Sequence, residues 1–385
     1  MQKRNPGAGL LVLIASSLVS MVLGSIHAFS VFLAPLETQF SALRSVISLT
    51  YSLALVALTL AVLFAPRIYH RCSAARFMLM ACIMAAIGAV VAGTANSLML
   101  VWLGYSLIFG VANGLGYGFG LQISAQANPG REGLAMGVVT AAYALGAVLS
   151  PPLFDAATRV HGFQGAMFYL ALSLLSAGVI SAVLMKRANA RFQSHDHKTS
   201  GTFPSLRNQL LLWIGYFGGV LCGLMVIGQA AGIAISLQPQ TATWLAPMII
   251  AACNLLGSLI VGRLVDTLPL GRLLAGLAIT STAALIGLVT YGAGGAMIIC
   301  FGLIGFAYGG TIAAYPAVIA KLYGMADGPR IYGRIFTAWG TAGLLGPWFA
   351  GYLFNLSGNY NIALLTAAVF GAISVIAATL LLRER

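Results

Sequence analysis

Titratable side chains are rare within the long apolar stretches of this sequence, and His27 is the one that lies inside such a stretch. An imidazole has an ordinary pKa of about 6.5, so His27 could carry a proton or lend a positive charge to an anion. A neutral imidazole that hydrogen-bonds to a neighbouring helix is the alternative interpretation. The acidic residues Glu37 and Asp155 fall at the ends of apolar stretches. We therefore expect no deeply buried acid that could meet a cationic substrate.

Residue sets that perform covalent, metal or nucleotide chemistry are not evident in the sequence. It has no Gly-x-x-x-x-Gly-Lys-Ser/Thr motif, so ATP is not the expected energy source. The His195-Asp196-His197 triplet could ligate a metal, but it lies in a polar stretch typical of a flexible linker. Four of the five cysteines fall in apolar stretches, so we expect neither a disulfide nor a metal site. We therefore predict that the protein is not an enzyme and uses no cofactor.

The elements that must position these residues are membrane-spanning helices. Hydrophobic residues make up 60% of the chain, charged residues only 7%, and the mean hydropathy is +0.95. A soluble domain usually contains about 25% charged residues. At roughly 20 residues for each crossing, the 385 residues fit twelve spans, and the first is too long for a cleaved signal. The predicted spans are 8–36, 45–65, 77–95, 98–122, 134–155, 164–186, 208–236, 242–262, 273–291, 295–320, 332–354 and 360–382.

The basic residues predict the orientation of these spans. Of the 20 lysines and arginines, all except Arg44 and Arg159 fall on one side of the predicted bundle. Cationic loops resist translocation, so this side is predicted to be cytoplasmic and to hold both termini. The net charge of +13 is therefore a topological signal and does not indicate nucleic-acid binding. We expect a multi-pass protein of a bacterial-type inner (plasma) membrane, monomeric in the bilayer.

The chain also contains an internal repeat. A shift of 195 residues brings Gly110 and Gly114 onto Gly305 and Gly309, and a shift of 196 brings Tyr143 onto Trp339. One nearly constant offset in separate helix pairs predicts two pseudo-symmetric six-helix bundles in an all-α membrane protein. The predicted domains are an N-terminal bundle (1–186), a cytoplasmic linker (187–207) and a C-terminal bundle (208–385). Parallel repeats that hold substrate between them are typical of alternating-access transporters.

Several motifs resemble the major facilitator superfamily over essentially the whole chain. The stretch 262–272, Gly-Arg-Leu-Val-Asp followed by Gly-Arg, resembles the signature loop after that family's eighth helix. The first-half copy, 66–76, keeps the arginines without the glycine and the acid. Residues 23–32, 114–137 and 332–340 are similar to the branch of oxalate/formate antiporters and monocarboxylate transporters. The resemblance implies the major facilitator fold and secondary active transport.

The resemblance also implies which residues face the substrate. Ser258, four residues after Asn254, stands where the branch has an arginine, and Trp339 stands where the oxalate transporter has a lysine. Both family cations are thus replaced, and an aromatic and polar lining is expected instead. Arg334 is either a snorkelling cation or the remaining cation for a carboxylate. The complete set of predicted substrate-binding residues is His27, Tyr117, Tyr143, Asn254, Ser258, Tyr315, Phe336, Trp339 and Arg334.

These observations favour a secondary active transporter of a small organic anion, a monocarboxylate, driven by a proton or by exchange. The expected partners are that anion, a proton or counter-substrate, and the lipid bilayer. The loss of both family cations favours the alternative, a transporter or exporter of a neutral amphiphilic molecule. A non-transporting sensor on the same scaffold is a third hypothesis.

Overall fold

The computed structural model describes residues 6–192, 206–265 and 267–382, and this part of the chain is helical without a strand. Most of the predicted linker, the terminal cations and Asp266 lie outside the described residues. Ten of the helical stretches are long and apolar enough to cross a membrane. The all-α membrane fold predicted from composition is thereby confirmed.

The α-helices, in chain order, cover the following residues. They are α1 Pro6–Leu23, α2 Leu33–Phe40, α3 Arg44–Phe64, α4 Ala74–Gly93, α5 Leu98–Val101, α6 Gly110–Ala127, α7 Glu132–Arg187, α8 Leu206–Ile227, α9 Ala230–Leu237, α10 Leu245–Leu264, α11 Leu270–Tyr291, α12 Gly294–Ser357 and α13 Asn361–Leu382. A 3₁₀ segment, Gly24–Phe32, joins α1 to α2, and a π-helical segment, Trp102–Phe109, joins α5 to α6. Two short 3₁₀ turns, Ala65–Arg67 and Tyr69–Arg71, follow α3.

The helix α7 contains two predicted spans and the loop that was expected between them. Its backbone leaves the helical conformation at Gly162, where φ is 66° and ψ is −173°. The expected loop from 156 to 163 is therefore wrong over most of its length. Arg159 forms an ion pair with Asp155 at 2.9 Å, one helical turn apart, and such pairs stabilise helices. The two predicted spans are still separate, because the helix is interrupted at Gly162. Glycine readily adopts the positive φ found at this position.

The helix α12 likewise contains the tenth and eleventh predicted spans. At 1.5 Å per residue, a straight helix would place Tyr308 and Trp339 about 46 Å apart. Their side chains are instead joined by a hydrogen bond of 3.1 Å, so the chain turns back between them. The predicted link at 321–331 is helical.

Internal packing divides the chain into two compact units. The first contains Met1–Phe40 and Leu53–His195, and the second contains Ser41–Ser52 and Asp196–Arg385. The first turns of α3 thus pack with the second unit, which the sequence did not indicate. The domain boundaries at 186 and 208 stay a prediction.

In the first unit, contacts at small residues join α3 to α6. A Cβ atom added to Gly110 would lie 2.8 Å from the carbonyl oxygen of Ala54, and one added to Gly114 would overlap that of Leu58. Glycine lets the two backbones approach this closely, as small residues do between membrane helices.

The second unit repeats the same contact between α10 and α12. A Cβ atom added to Gly305 would overlap the carbonyl oxygen of Ile250, and one added to Gly309 would overlap that of Asn254. These two glycines follow their counterparts in the first unit by 195 residues. The residues whose carbonyl oxygens they approach follow the corresponding residues of α3 by 196. The offset read from the sequence therefore corresponds to equivalent helix contacts.

Candidate functional site

The helices that carry the predicted site residues are interrupted within their spans. The first span changes from α to 3₁₀ geometry over Gly24–Phe32, which includes His27. The seventh is broken between Ile227, where α8 ends, and Ala230, where α9 begins. Interrupted helices are a common feature of substrate and ion sites in transporters. Local departures from α geometry often mark functional positions.

The first cluster lies within the first unit and consists of His27, Asn113, Tyr117, Thr140 and Tyr143. The Asn113 side chain is fully buried, and the Tyr143 hydroxyl donates a hydrogen bond to its Oδ1 at 3.1 Å. Its Nδ2 donates to the carbonyl oxygen of Leu23, the last residue of α1, at 2.7 Å. Asn113 therefore ties α7 to the point where the first span leaves α geometry.

Aromatic packing completes the first cluster. The ring centroids of Tyr117 and Tyr143 lie 4.5 Å apart, and the His27 and Tyr143 rings meet edge to face at 5.7 Å. The Tyr117 hydroxyl is 3.3 Å from Thr140 Oγ1. His27 and Tyr117 are half-buried, whereas Tyr143 is 9% exposed. Three residues of the predicted lining, His27, Tyr117 and Tyr143, thus come together, and Tyr143 links them to the buried Asn113.

The second cluster lies within the second unit and consists of Asn254, Ser258, Tyr308, Phe336 and Trp339. The Trp339 indole Nε1 donates to the Tyr308 hydroxyl at 3.1 Å, and the Phe336 ring stacks on Trp339 with a centroid distance of 5.5 Å. The Ser258 hydroxyl donates to the carbonyl oxygen of Gly309 at 3.0 Å and lies 3.4 Å from Asn254 Oδ1. Asn254 and Ser258 are half-buried.

Each cluster contains one hydrogen bond between two side chains, and the two bonds lie at equivalent positions of the repeat. Asn113 and Tyr308 are offset by 195 residues, and Tyr143 and Trp339 by 196. Each pair is joined side chain to side chain at 3.1 Å. The chemical groups differ, yet the positions and the contact are kept. Asn113 and Tyr308 were not among the predicted site residues, and the offset that related Tyr143 to Trp339 could have identified them.

The remaining two predicted residues are Tyr315 and Arg334. Tyr315 is 3% exposed and stacks on Tyr216 of α8 with a centroid distance of 4.3 Å. The Arg334 side chain is exposed. A substrate-binding role for either residue stays a prediction, as it does for the members of both clusters.

A third set of polar contacts, the polar network of the second unit, was missed by the sequence analysis. It consists of Arg44, Ser48, Gln229, Phe354 and Tyr360. The Arg44 guanidinium donates to the Tyr360 hydroxyl at 2.6 Å and lies 4.6 Å from the Phe354 ring centroid. The Tyr360 hydroxyl donates to Gln229 Oε1 at 3.0 Å, and Gln229 Nε2 donates to Ser48 Oγ at 2.6 Å. The network therefore fixes the start of α3 to the break between α8 and α9.

The chemistry available in the two clusters is hydrogen bonding and aromatic contact. Their polar groups are hydroxyls, amides, an indole and one imidazole, which can exchange hydrogen bonds with a ligand. Within the part of the chain that the structure describes, no group of three histidine, cysteine, aspartate or glutamate side chains is placed to hold a metal ion. Long apolar helices in two repeated units, each with a polar and aromatic cluster, define a multi-pass membrane protein of transporter architecture.

Comparisons with known proteins give the family. The family model of the Major Facilitator Superfamily matches residues 10–289, and the chain belongs to this superfamily. It is 25% identical over 350 residues to the uncharacterized MFS-type transporter YhjX of Escherichia coli, covering 86% of this chain and 84% of that protein. It is also 25% identical over 310 residues to the oxalate:formate antiporter of Oxalobacter formigenes, covering 74% of this chain and 70% of that protein.

A solved structure supports the same fold. A bacterial homologue of the human lysosomal transporter Spinster, crystallised in an inward-facing and occupied conformation, aligns with a TM-score of 0.76. The alignment covers 97% of this chain and 96% of that structure at 14% sequence identity, so it indicates the fold alone. The resemblance to the major facilitator superfamily stated from the sequence is confirmed.

Proposed function

We propose that the protein is a secondary active transporter that carries a small organic anion, a monocarboxylate, by alternating access. Its 25% identity to an oxalate:formate antiporter supports a carboxylate substrate. The observation that carries the proposal is the equivalent hydrogen-bonded pair in each repeat, Asn113 with Tyr143 and Tyr308 with Trp339. The polar groups at these matching positions, a hydroxyl with an amide in one repeat and a hydroxyl with an indole in the other, are suited to exchange hydrogen bonds with a small polar ligand.

The composition of the clusters favours an ion of single charge. Among the described residues that form them, His27 is the one whose side chain can carry a positive charge when protonated. A second charge on the ligand would lack a partner in a medium of low dielectric constant, where an unpaired charge is costly. The neutral Ser258 and Trp339 stand where the related branch has cations, which supports a monocarboxylate over oxalate.

The proposed transport cycle uses the close packing within each unit. Glycine contacts such as those of Gly114 and Gly309 let helices of one bundle move together as a compact body. We place both termini on the cytoplasmic side of an inner membrane, because the basic residues collect on that side. The driving force is a proton gradient, carried through His27, or exchange against a second anion. The proposed transporter acts as a monomer.

Uptake by the purified protein in liposomes tests this proposal. Radiolabelled formate or lactate is offered outside, and competition by unlabelled monocarboxylates is compared with competition by uncharged solutes of similar size. The proposal expects competition by monocarboxylates, weaker competition by oxalate, and little by neutral solutes. Protein-dependent uptake that neutral solutes inhibit and carboxylates do not would refute it.

A second candidate function is transport or export of a neutral amphiphilic molecule. The aromatic content of the second cluster favours it, since the half-buried Phe336 stacks on the buried Trp339 with the ring planes only 3° apart. The same liposome experiment distinguishes the two candidates, because inhibition by uncharged amphiphiles alone supports this second function.

A further inference from the structure

Exposed arginines collect at one end of the first unit, where α3 ends, α4 begins and α7 ends. They are Arg67, Arg71 and Arg76, which lie between the last turn of α3 and the first turn of α4, and Arg191, which follows α7. Within residues 6–192, the part of this unit that the structure describes, none of these arginines forms an ion pair. Their positive charges are therefore available to an external anion.

Aromatic packing brings the two arginine-bearing segments together. Tyr69, which is fully buried between α3 and α4, packs edge to face against Phe192 with a ring centroid distance of 5.2 Å. The ring of Phe119 in α6 lies 5.8 Å from that of Phe192. Arginines stand two residues before and two residues after Tyr69, and Arg191 directly precedes Phe192. The contact of Phe192 thus places cations from two distant parts of the sequence side by side.

The excess of positive charge is specific to the first copy of the repeat. At the offset of 196 residues, the second copy keeps two of the arginines and has Asp266 where the first copy has His70. The sequence contains no acidic residue between Glu37 and Glu132, so the first copy has no acid of its own. The arginines of the first copy are thus not balanced locally, as those of the second copy are.

An apolar surface of α3 continues directly into these cations. Leu60 is 48% exposed and Phe64 is 54% exposed, and they lie one turn apart on the same face of a membrane-spanning helix. The Arg67 guanidinium lies 5.4 Å from the Phe64 ring centroid, a distance at which a cation and an aromatic ring attract each other. A molecule bound here would meet an apolar surface and a group of cations next to each other, which matches the acyl chain and the phosphate of a phospholipid.

We propose that the four arginines bind the headgroup of an anionic phospholipid, such as phosphatidylglycerol, while an acyl chain lies along Leu60 and Phe64. A guanidinium group can bind two phosphate oxygens with parallel hydrogen bonds. Basic residues beside the ends of membrane helices attract anionic lipids, whereas the choline of a zwitterionic lipid would be repelled by the arginines. The site shares no residue with the two clusters and does not depend on which molecule the protein carries.

Native mass spectrometry of the full-length protein in detergent tests the proposal. Phosphatidylglycerol or phosphatidylcholine with identical acyl chains is titrated, and the dissociation constant of the first bound lipid is measured. Phosphatidylglycerol should bind more tightly, and the double variant Arg67→Gln, Arg76→Gln should weaken its binding about five-fold for each arginine removed. The matched control is Arg263→Gln, Arg272→Gln, at the equivalent positions of the copy that has an acid. This control should bind phosphatidylglycerol like the unchanged protein.

Variants of Phe192 distinguish an assembled site from a general attraction to basic residues. Phe192→Ala keeps all four arginines but releases Arg191, so it should weaken phosphatidylglycerol binding by about the five-fold share of one arginine. Phe192→Tyr keeps the ring and should bind like the unchanged protein. Equal binding of the two lipids, equal losses in the two double variants, or unchanged binding in Phe192→Ala would each overturn the proposal. Displacement of the lipid by inorganic phosphate would also overturn it, because that result would indicate a site for free phosphate.

Discussion

Removing the tyrosine hydroxyl from the first cluster should destabilise the protein by a predictable amount. In Tyr143→Phe, the fully buried Asn113 loses the donor that contacts its Oδ1 at 3.1 Å. Leaving a buried acceptor unsatisfied costs about 1–3 kcal/mol. For a unit of this size, each kcal/mol lowers the melting temperature by roughly 2–4 °C. The variant should therefore melt about 2–12 °C lower in detergent.

A double-mutant cycle separates this hydrogen bond from general damage to the core. Asn113→Ala and Tyr143→Phe are measured alone and together by thermal unfolding. Because the two side chains contact each other, their effects should be non-additive by about 0.5–3 kcal/mol. The control Tyr291→Phe alters a tyrosine that is 74% exposed and should leave the melting temperature unchanged. Additive effects within the cycle would refute the assignment of the bond.

Four further predictions concern other residues of the two units. His27→Phe should abolish uptake driven by an imposed pH gradient in proteoliposomes; unaltered proton dependence would remove His27 from the mechanism. Arg334→Gln should weaken binding of an anionic substrate in a thermal-shift titration, and an unchanged affinity would leave Arg334 a snorkelling cation. Gly309→Ala should lower the melting temperature through an overlap costing about 1–3 kcal/mol, whereas Gly276→Ala, with open space around it, should not; equal melting temperatures would contradict the close approach. Tyr360→Phe should release the polar network of the second unit and increase hydrogen exchange at the start of α3; unchanged exchange would show that the network does not hold this segment.

Much of the fold could be predicted from the sequence because membrane helices leave a strong composition signal. The apolar runs identify the spans, and the offset between Gly114 and Gly309 identifies the repeat without any coordinates. Helix ends were less predictable. The Asp155–Arg159 ion pair lies in the part of α7 where a loop was expected, and a pair of opposite charges one turn apart stabilises a helix.

The site was only partly predictable, since its contacts join residues that are distant in the sequence. His27, Tyr117 and Tyr143 were predicted as parts of one aromatic and polar lining and do meet in one cluster. The polar network could not be anticipated in the same way, because Arg44 and Tyr360 are separated by 316 positions. In the sequence, Arg44 is a charge near the end of a predicted span and is used only to predict membrane topology. A single sequence does not reveal that its partner is Tyr360.

Counterflow exchange in proteoliposomes tests the central claim most directly. Vesicles loaded with unlabelled formate are diluted into a trace of labelled formate, with no pH gradient and no ATP. We predict transient accumulation of label that requires the protein and is reduced in the Tyr143→Phe and Trp339→Phe variants. Label that enters no faster than into protein-free vesicles, while an uncharged amphiphile does exchange, would contradict the account.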